Sequence, residues 1–248
     1  MATLSKRIKR TLTYYFAVTA IWILNLLPRK LAISIGHLLG LIAWRLIPRD
    51  RQIMDQNLKL VYGDRLTLEE RTEIGRRFFS NSGKNLVDVV RFRKHFKNKI
   101  APLVEVDGLQ HFDAAYKAGR GLIGITGHIG NFELLAAYVQ SRGYEIGVIG
   151  RQMYDQRLDH LLVRNRTSMG LTNFQTTDSP KRILQWLKSG HALGVLIDTD
   201  SMRVRNIQVP FFGRPAATPV SLTAMGLKVG SAFLPMACVR IPGDRYKV

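Results

Sequence analysis

Apolar and polar positions divide the chain into three regions. From about residue 103, short apolar runs alternate with segments of helical periodicity. Residues 104–106 (VEV), 121–126 (GLIGIT), 145–150 (EIGVIG), 192–198 (ALGVLID), 207–212 (IQVPFF) and 232–240 (AFLPMACVR) read as strands. Residues 112–119, 130–141, 156–168, 179–189 and 219–230 read as the helices between them. Strands alternating with helices predict an α/β fold, a mixed sheet flanked by helices. Upstream, residues 49–97 read as helical. Met54, Leu58 and Val61 share one helix face, and Gly63-Asp64 breaks the pattern. Thr67 with Glu70 forms a capping-box signature, and the helix behind it runs through Ile74, Phe78, Leu86 and Val90. The expected division is 1–48, a basic start with apolar anchoring helices; 49–100, a helical region; and 101–248, an α/β domain.

The amino-terminal region has two apolar runs. Residues 11–28 carry no charge and follow Lys6, Arg7, Lys9 and Arg10. As a helix they reach about 27 Å at about 1.5 Å per residue, close to the hydrocarbon thickness of a bilayer. Residues 31–44 form a second, shorter run, and Tyr14, Tyr15, Trp22 and Trp44 suit a membrane interface. No small-x-small cleavage site precedes Pro28, which disfavours a cleaved signal peptide. A buried core helix fits less well than a membrane anchor, spanning or re-entrant. The formal charge of +19 then points to an anionic membrane surface rather than nucleic acid. No nucleic-acid-binding module is recognisable.

The chemistry concentrates in GLIGITGHIGNFELLAAYV. A strand ends at Gly127, His128 follows, and a helix begins near Phe132. Open α/β sheets bind ligands at that carboxyl edge. Glu133, in the helix's first turn, is placed to fold back on His128, fix its tautomer and favour the imidazolium. Gly127 and Gly130 would let a substrate approach the backbone, and helix N–H groups would help stabilise an oxyanion. The competing reading is a helix-capping histidine beside a glutamate that suits the helix dipole. No G-x-S-x-G elbow, P-loop or H-E-x-x-H motif is present; AISIG (32–36) lies in an apolar helix. His37, His95, His111, His160 and His191 lack ligand spacing, so no metal is expected. Cys238, the only cysteine, reads as a buried, inert thiol in a strand.

The segment VEVDGL…AGRGLIGITGHIGNFELLAAYVQSRGYEIGVIGR resembles the bacterial lipid A biosynthesis acyltransferases, within the wider glycerolipid-type group marked by H-x-x-x-x-[DE]. RQMYDQRLDHLLVRNRTSMG and LIDTD followed by VPFFGRPAATP match further family stretches in order. The resemblance implies a glycerolipid acyltransferase-like fold at the cytoplasmic face of the cell inner membrane. It implies O-acyl transfer from an acyl carrier protein or CoA thioester to a lipid hydroxyl, with no resident cofactor. His128 and Glu133 would be the catalytic pair. Arg151, Asn131, Asp198, Asp200, Phe212 and Gly213 would serve substrate binding, with Phe211 in the same loop. The central residue of Asp-Thr-Asp departs from the glutamine frequent in relatives. Relatives also continue past Val248, so the chain reads as carboxyl-terminally truncated. The rival readings are a thioester hydrolase and a non-catalytic basic membrane-surface protein.

Overall fold

The computed structural model describes residues 4–199, 202 and 204–248. The chain forms two compact units, residues 19–95 and residues 1–18 together with 96–248.

Helix α1 (Leu4–Leu26) takes in the basic start as well as the apolar run, and α2 (Arg29–Leu46) follows at once. Next come α3 (Pro48–Tyr62), α4 (Leu68–Val90) and α5 (Phe92–His95). Thr67 and Glu70 form the anticipated capping box: Glu70 N–H donates to Thr67 Oγ1 at 3.2 Å and Thr67 N–H to Glu70 Oε2 at 2.8 Å. Within unit 19–95, α2 packs along α4. The contact runs through small residues. A methyl group at Gly36 would lie 2.7 Å from the Gly83 carbonyl, and one at Gly40 would strike the Phe79 carbonyl. Close backbone approach of this kind gains dispersion contact without large side chains.

On α4 the packed face is therefore not the one with the large apolar side chains. Ile74, Phe78 and Leu86 are exposed, while Gly75, Ser80, Val87 and Asp88 are buried. On α2, Leu31, Leu38, Leu39, Ile42 and Leu46 are exposed as well. No single helix among the described residues is long and apolar enough to cross a membrane. Only a pair bent by 87°, α2 with residues 48–65, passes by length and composition.

Polar groups tie the unit together. Arg29 Nε and Nη2 donate to Asp88 Oδ1 and Oδ2 at 2.9 and 2.7 Å, and the Asp88 side chain is 0% exposed. Buried Arg91 donates to the carbonyls of Leu24 and Leu27, at the end of α1 where carbonyls lack helical partners. Removing one member of a buried ion pair leaves the other charge uncompensated. Asp88→Ala is therefore expected to cost about 3–5 kcal/mol. Thermal unfolding in detergent measures it; an unchanged Tm would show that the Arg29 contact contributes nothing.

The second unit holds the α/β core. Its strands are β1 (Val104–Glu105), β2 (Leu122–Thr126), β3 (Ile146–Gly150), β4 (Thr172–Gln175), β5 (Ala192–Leu196), β6 (Asn206–Phe211), β7 (Arg214–Pro219), β8 (Ala232–Pro235), β9 (Val239–Ile241) and β10 (Arg245–Lys247). Helices α6 (Leu109–Lys117), α7 (Phe132–Ser141), α8 (Gln156–Thr167), α9 (Pro180–Lys188) and α10 (Ser221–Val229) connect them. The main sheet has five strands in the order β4-β3-β5-β2-β8 and is wholly parallel. This corrects the expectation of a single mixed sheet. Crossover helices join β2 through β5, and a helical crossover returns the chain to a parallel course. Antiparallel pairing is confined to the β6-β7 hairpin and the β1-β10-β9 sheet.

Side chains alternate between the faces of the sheet. Ile123, Leu193 and Val195 pack with Ile183 and Leu187 of α9 and with Leu222, Met225 and Val229 of α10. The other face, carrying Gly124, Thr126, Ala192, Gly194 and Leu196, looks toward α6 and α7 across a cavity. Residues 232–240, read as one strand, split into β8 and β9, which belong to different sheets. Cys238 sits between them, fully buried, and burial pushes its thiol up to about 12 despite Arg240 nearby.

Candidate active site

His128 follows β2 by two residues, Asp198 follows β5 by two, and Arg151 follows β3 by one. These are consecutive strands in the sheet, so the three residues arise along one carboxyl edge. Asp198 holds His128 twice. Its Oδ2 accepts from the His128 backbone N–H at 2.6 Å, and its Oδ1 lies 2.8 Å from the ring Nδ1. Burial alone would raise the Asp198 pKa, but the two hydrogen bonds from His128 and its charge outweigh that and hold it below the ordinary carboxylate value. An ionised Asp198 accepts from Nδ1–H, which leaves Nε2 of the same ring as the basic nitrogen. The His128 side chain remains 59% exposed.

Glu133 is not the partner of His128. Its carboxylate accepts from Nε of Arg166 at 3.0 Å and from Nη2 at 2.5 Å, and Arg166 Nη1 donates to Asn173 at 2.8 Å. The side chains of Glu133 and Arg166 are only 14% and 11% exposed. The five-residue interval between His128 and Glu133 thus does not bring them together, whereas an interval of 70 residues across two adjacent strands brings Asp198 to the ring.

The glycines around His128 serve this geometry rather than close substrate approach. A methyl at Gly127 would lie 2.8 Å from Asp198 Oδ2. Gly130, at φ 60°, passes under the Cys238 carbonyl where no side chain fits. Asn131 is also committed. Buried, it caps α7 by accepting from Leu134 N–H at 3.1 Å, and its Nδ2 donates to Tyr246 Oη at 3.3 Å. The nearby backbone donors expected to serve an oxyanion are partly used: His128 N–H by Asp198, Asn131 N–H by the Cys238 carbonyl, and Leu134 N–H by the Asn131 cap.

Arg151 is exposed at the sheet edge. Phe212 and Gly213 form the two-residue turn of the β6-β7 hairpin, at φ 48° and 74°, as the turn types that match strand twist require. Phe211 and Phe212 are both exposed there and meet edge to face at 4.6 Å between ring centroids. Asp200 lies outside the described residues. Sequence reasoning missed Arg166; its only local signal was a basic residue late in α8.

The cavity on the α7 side of the sheet begins beside this edge. Phe132, which meets the His128 ring edge-on at 5.2 Å between centroids, is one of its walls. Phe112, Leu135, Val139, Ile146, Val148, Leu196 and Met236 make most of the rest apolar; Thr126, Glu133 and Arg166 supply the polar groups. The Glu133–Arg166 pair is a rim of charge on an apolar void. Glu133→Ala, which strands Arg166, is expected to lose about 3–5 kcal/mol of stability. Thermal unfolding of this variant beside wild type checks it, and equal Tm values would refute a structural role for the pair.

These features define an α/β protein with a carboxylate-steered imidazole at a parallel-sheet edge, next to an apolar cavity. The chain belongs to the bacterial lipid A biosynthesis acyltransferase family, which it matches over residues 2–248. It is 24% identical to the lipid A biosynthesis lauroyltransferase of Escherichia coli over 236 residues, 94% of this chain and 76% of that protein. It is 25% identical to the phosphatidylinositol mannoside acyltransferase of Mycobacterium tuberculosis over 137 residues, 54% of this chain and 43% of that protein. The chain thus matches less than half the length of the mycobacterial relative.

Proposed function

We propose that this chain transfers a fatty acyl group from a thioester, carried by an acyl carrier protein or CoA, to a hydroxyl of a lipid A precursor or a related glycolipid or phospholipid. The observation that carries the reading is the His128 ring fixed by Asp198 beside an apolar cavity. His128 Nε2 takes the proton of the acceptor hydroxyl. The oxygen attacks the thioester carbonyl, and the tetrahedral intermediate expels the thiolate as the C–S bond breaks. The imidazolium returns its proton to that sulfur. Asp198 stabilises the imidazolium and fixes the ring; it is the positioning carboxylate in place of Glu133. The acyl chain occupies the cavity, and exposed Arg151 attracts the anionic part of a substrate.

On this reading the protein works at the cytoplasmic face of the inner membrane, where a lipid acceptor and a soluble thioester carrier meet. The outward leucines of α2, the aromatics Phe16 and Trp22 and the basic start of α1 support that placement.

His128→Ala and Asp198→Asn are expected to lower transfer by about 10²–10⁴-fold, the span that positioned proton transfer contributes, with unchanged Tm. The assay follows acylated lipid by mass spectrometry from acyl-CoA or acyl carrier protein and extracted lipid acceptors. Wild-type rates in His128→Ala would end the proposal. Fatty acid release that is as fast without acceptor lipid would favour a hydrolase. The pH dependence has a definite sign. Because Asp198 is held below the ordinary carboxylate value of about 3.9, its pairing with His128 is present above that value and fades only as pH falls through its own lower one. Activity lost between neutral and mildly acid pH is therefore not due to protonation of Asp198. A pH–rate profile of wild type beside Asp198→Asn tests this.

A further inference from the structure

The floor of the cavity is three rows of residues across β3, β5 and β2. Leu196 pairs with Thr126 in the row nearest His128. In the middle row, Val148 pairs with Gly194, and Gly194 with Gly124. In the lowest row, Ile146 pairs with Ala192. Two adjacent glycines in the middle of a buried parallel sheet are costly, because glycine loses the most conformational freedom on folding and packs no side chain. Neither has the positive φ that demands glycine.

Packing does not demand glycine at 194 either. A methyl group there would have only the Gly147 carbonyl and Val148 Cγ1 within 4 Å among the described residues, both at 3.8 Å, an ordinary contact distance. At Gly124 a methyl would meet the Met236 sulfur at 3.1 Å, the flexible end of another cavity wall. The missing side chain at 194 leaves space in the cavity rather than admitting a neighbour. Charge and polarity lie toward the carboxyl edge, at Thr126, Glu133 and Arg166, while the two lower rows are apolar. That gradient fits an unbranched hydrocarbon tail whose polar end faces His128.

We infer that Gly194, with Gly124 beside it, sets the length of the acyl chain this protein accepts. The inference rests on the acyl-transfer reading above. The middle row lies about 7 Å below the Leu196 row and the lowest row about 13 Å below it, at about 3.3 Å per residue. A side chain at 194 stops a tail midway down the floor, and one at 192 stops it only near the bottom.

The test uses the whole protein in detergent with octanoyl, decanoyl, lauroyl, myristoyl and palmitoyl thioesters of CoA. Non-transferable S-alkyl-CoA thioethers of the same lengths serve as a binding probe. Gly194→Val is expected to move the preferred donor to a shorter chain, cutting the ratio of the wild-type optimum to the next shorter donor by about tenfold or more. Gly194→Ala moves it less, and Ala192→Val penalises only the longest donors. The thioether affinities shift in the same order, a readout that does not depend on turnover. If Gly194→Val fails to fold, Gly194→Ala and Ala192→Val still decide the matter by the different chain lengths at which their penalties set in. Variants that lower all lengths alike, or leave the ratios unchanged, overturn the gauge. Wild type that transfers no acyl group, with thioether binding still graded by length at 194, overturns the acyl-transfer reading and leaves the gauge standing.

Discussion

Asp198 binds His128 through the backbone and the ring at once, with the two carboxylate oxygens divided between them. The backbone contact anchors the carboxylate beside the residue, and the ring contact gives Nδ1 an acceptor that selects the Nδ1–H tautomer. The arrangement needs β2 and β5 side by side, because each residue lies two positions past its strand. It also needs a residue without a side chain at 127, where a methyl would crowd the carboxylate. The parallel sheet is thus the device that turns two distant sequence positions into one hydrogen-bonded pair.

Glu133 performs a different task a few residues away. It sits in the first turn of α7, where a carboxylate is favoured by the helix dipole, and it neutralises Arg166 beside an apolar void. Arg166 in turn bonds Asn173 at the start of β4, so α7, α8 and β4 are joined at one point. Two carboxylates near one histidine therefore divide the labour: one orients the ring and the other closes the rim of the cavity. Losing the first should affect chemistry, and losing the second should affect the fold.

Local pattern revealed what local forces decide. β2, β3 and β5 are buried on both faces and read as unbroken apolar runs, and their helices carry clear periodicity. β4, with Thr172, Asn173 and Gln175 around Phe174, lacks that signal and was missed. The run 232–240 looked like one strand because apolarity does not say where the chain leaves one sheet for another. On α4 the large apolar residues do not mark the packed face, since that helix packs through glycine and serine. The histidine was legible from its place between a strand and a helix. The carboxylate bonded to it, Asp198, was noticed only through family resemblance, and then as a substrate contact, because strand order is not written in any one segment.

Glycines in this chain separate structural need from functional room. At Gly36, Gly40 and Gly83 an added methyl would run into backbone of the facing helix, so those positions are explained by packing alone. At Gly127 it would meet the carboxylate that holds the His128 ring. At Gly194 it would meet nothing closer than 3.8 Å, in a backbone conformation open to any residue. Protein interiors are ordinarily filled to the density of organic crystals, and a strand gains stability from the side chains it packs. A strand position that has space for a side chain and carries none has given up that stabilisation, and the space it keeps open faces the cavity walled by Phe132, which touches the His128 ring. The same sheet therefore does two things along one edge and one face: its strand ends bring His128 and Asp198 together, and its bare middle row keeps open the space proposed for the tail of an acyl chain.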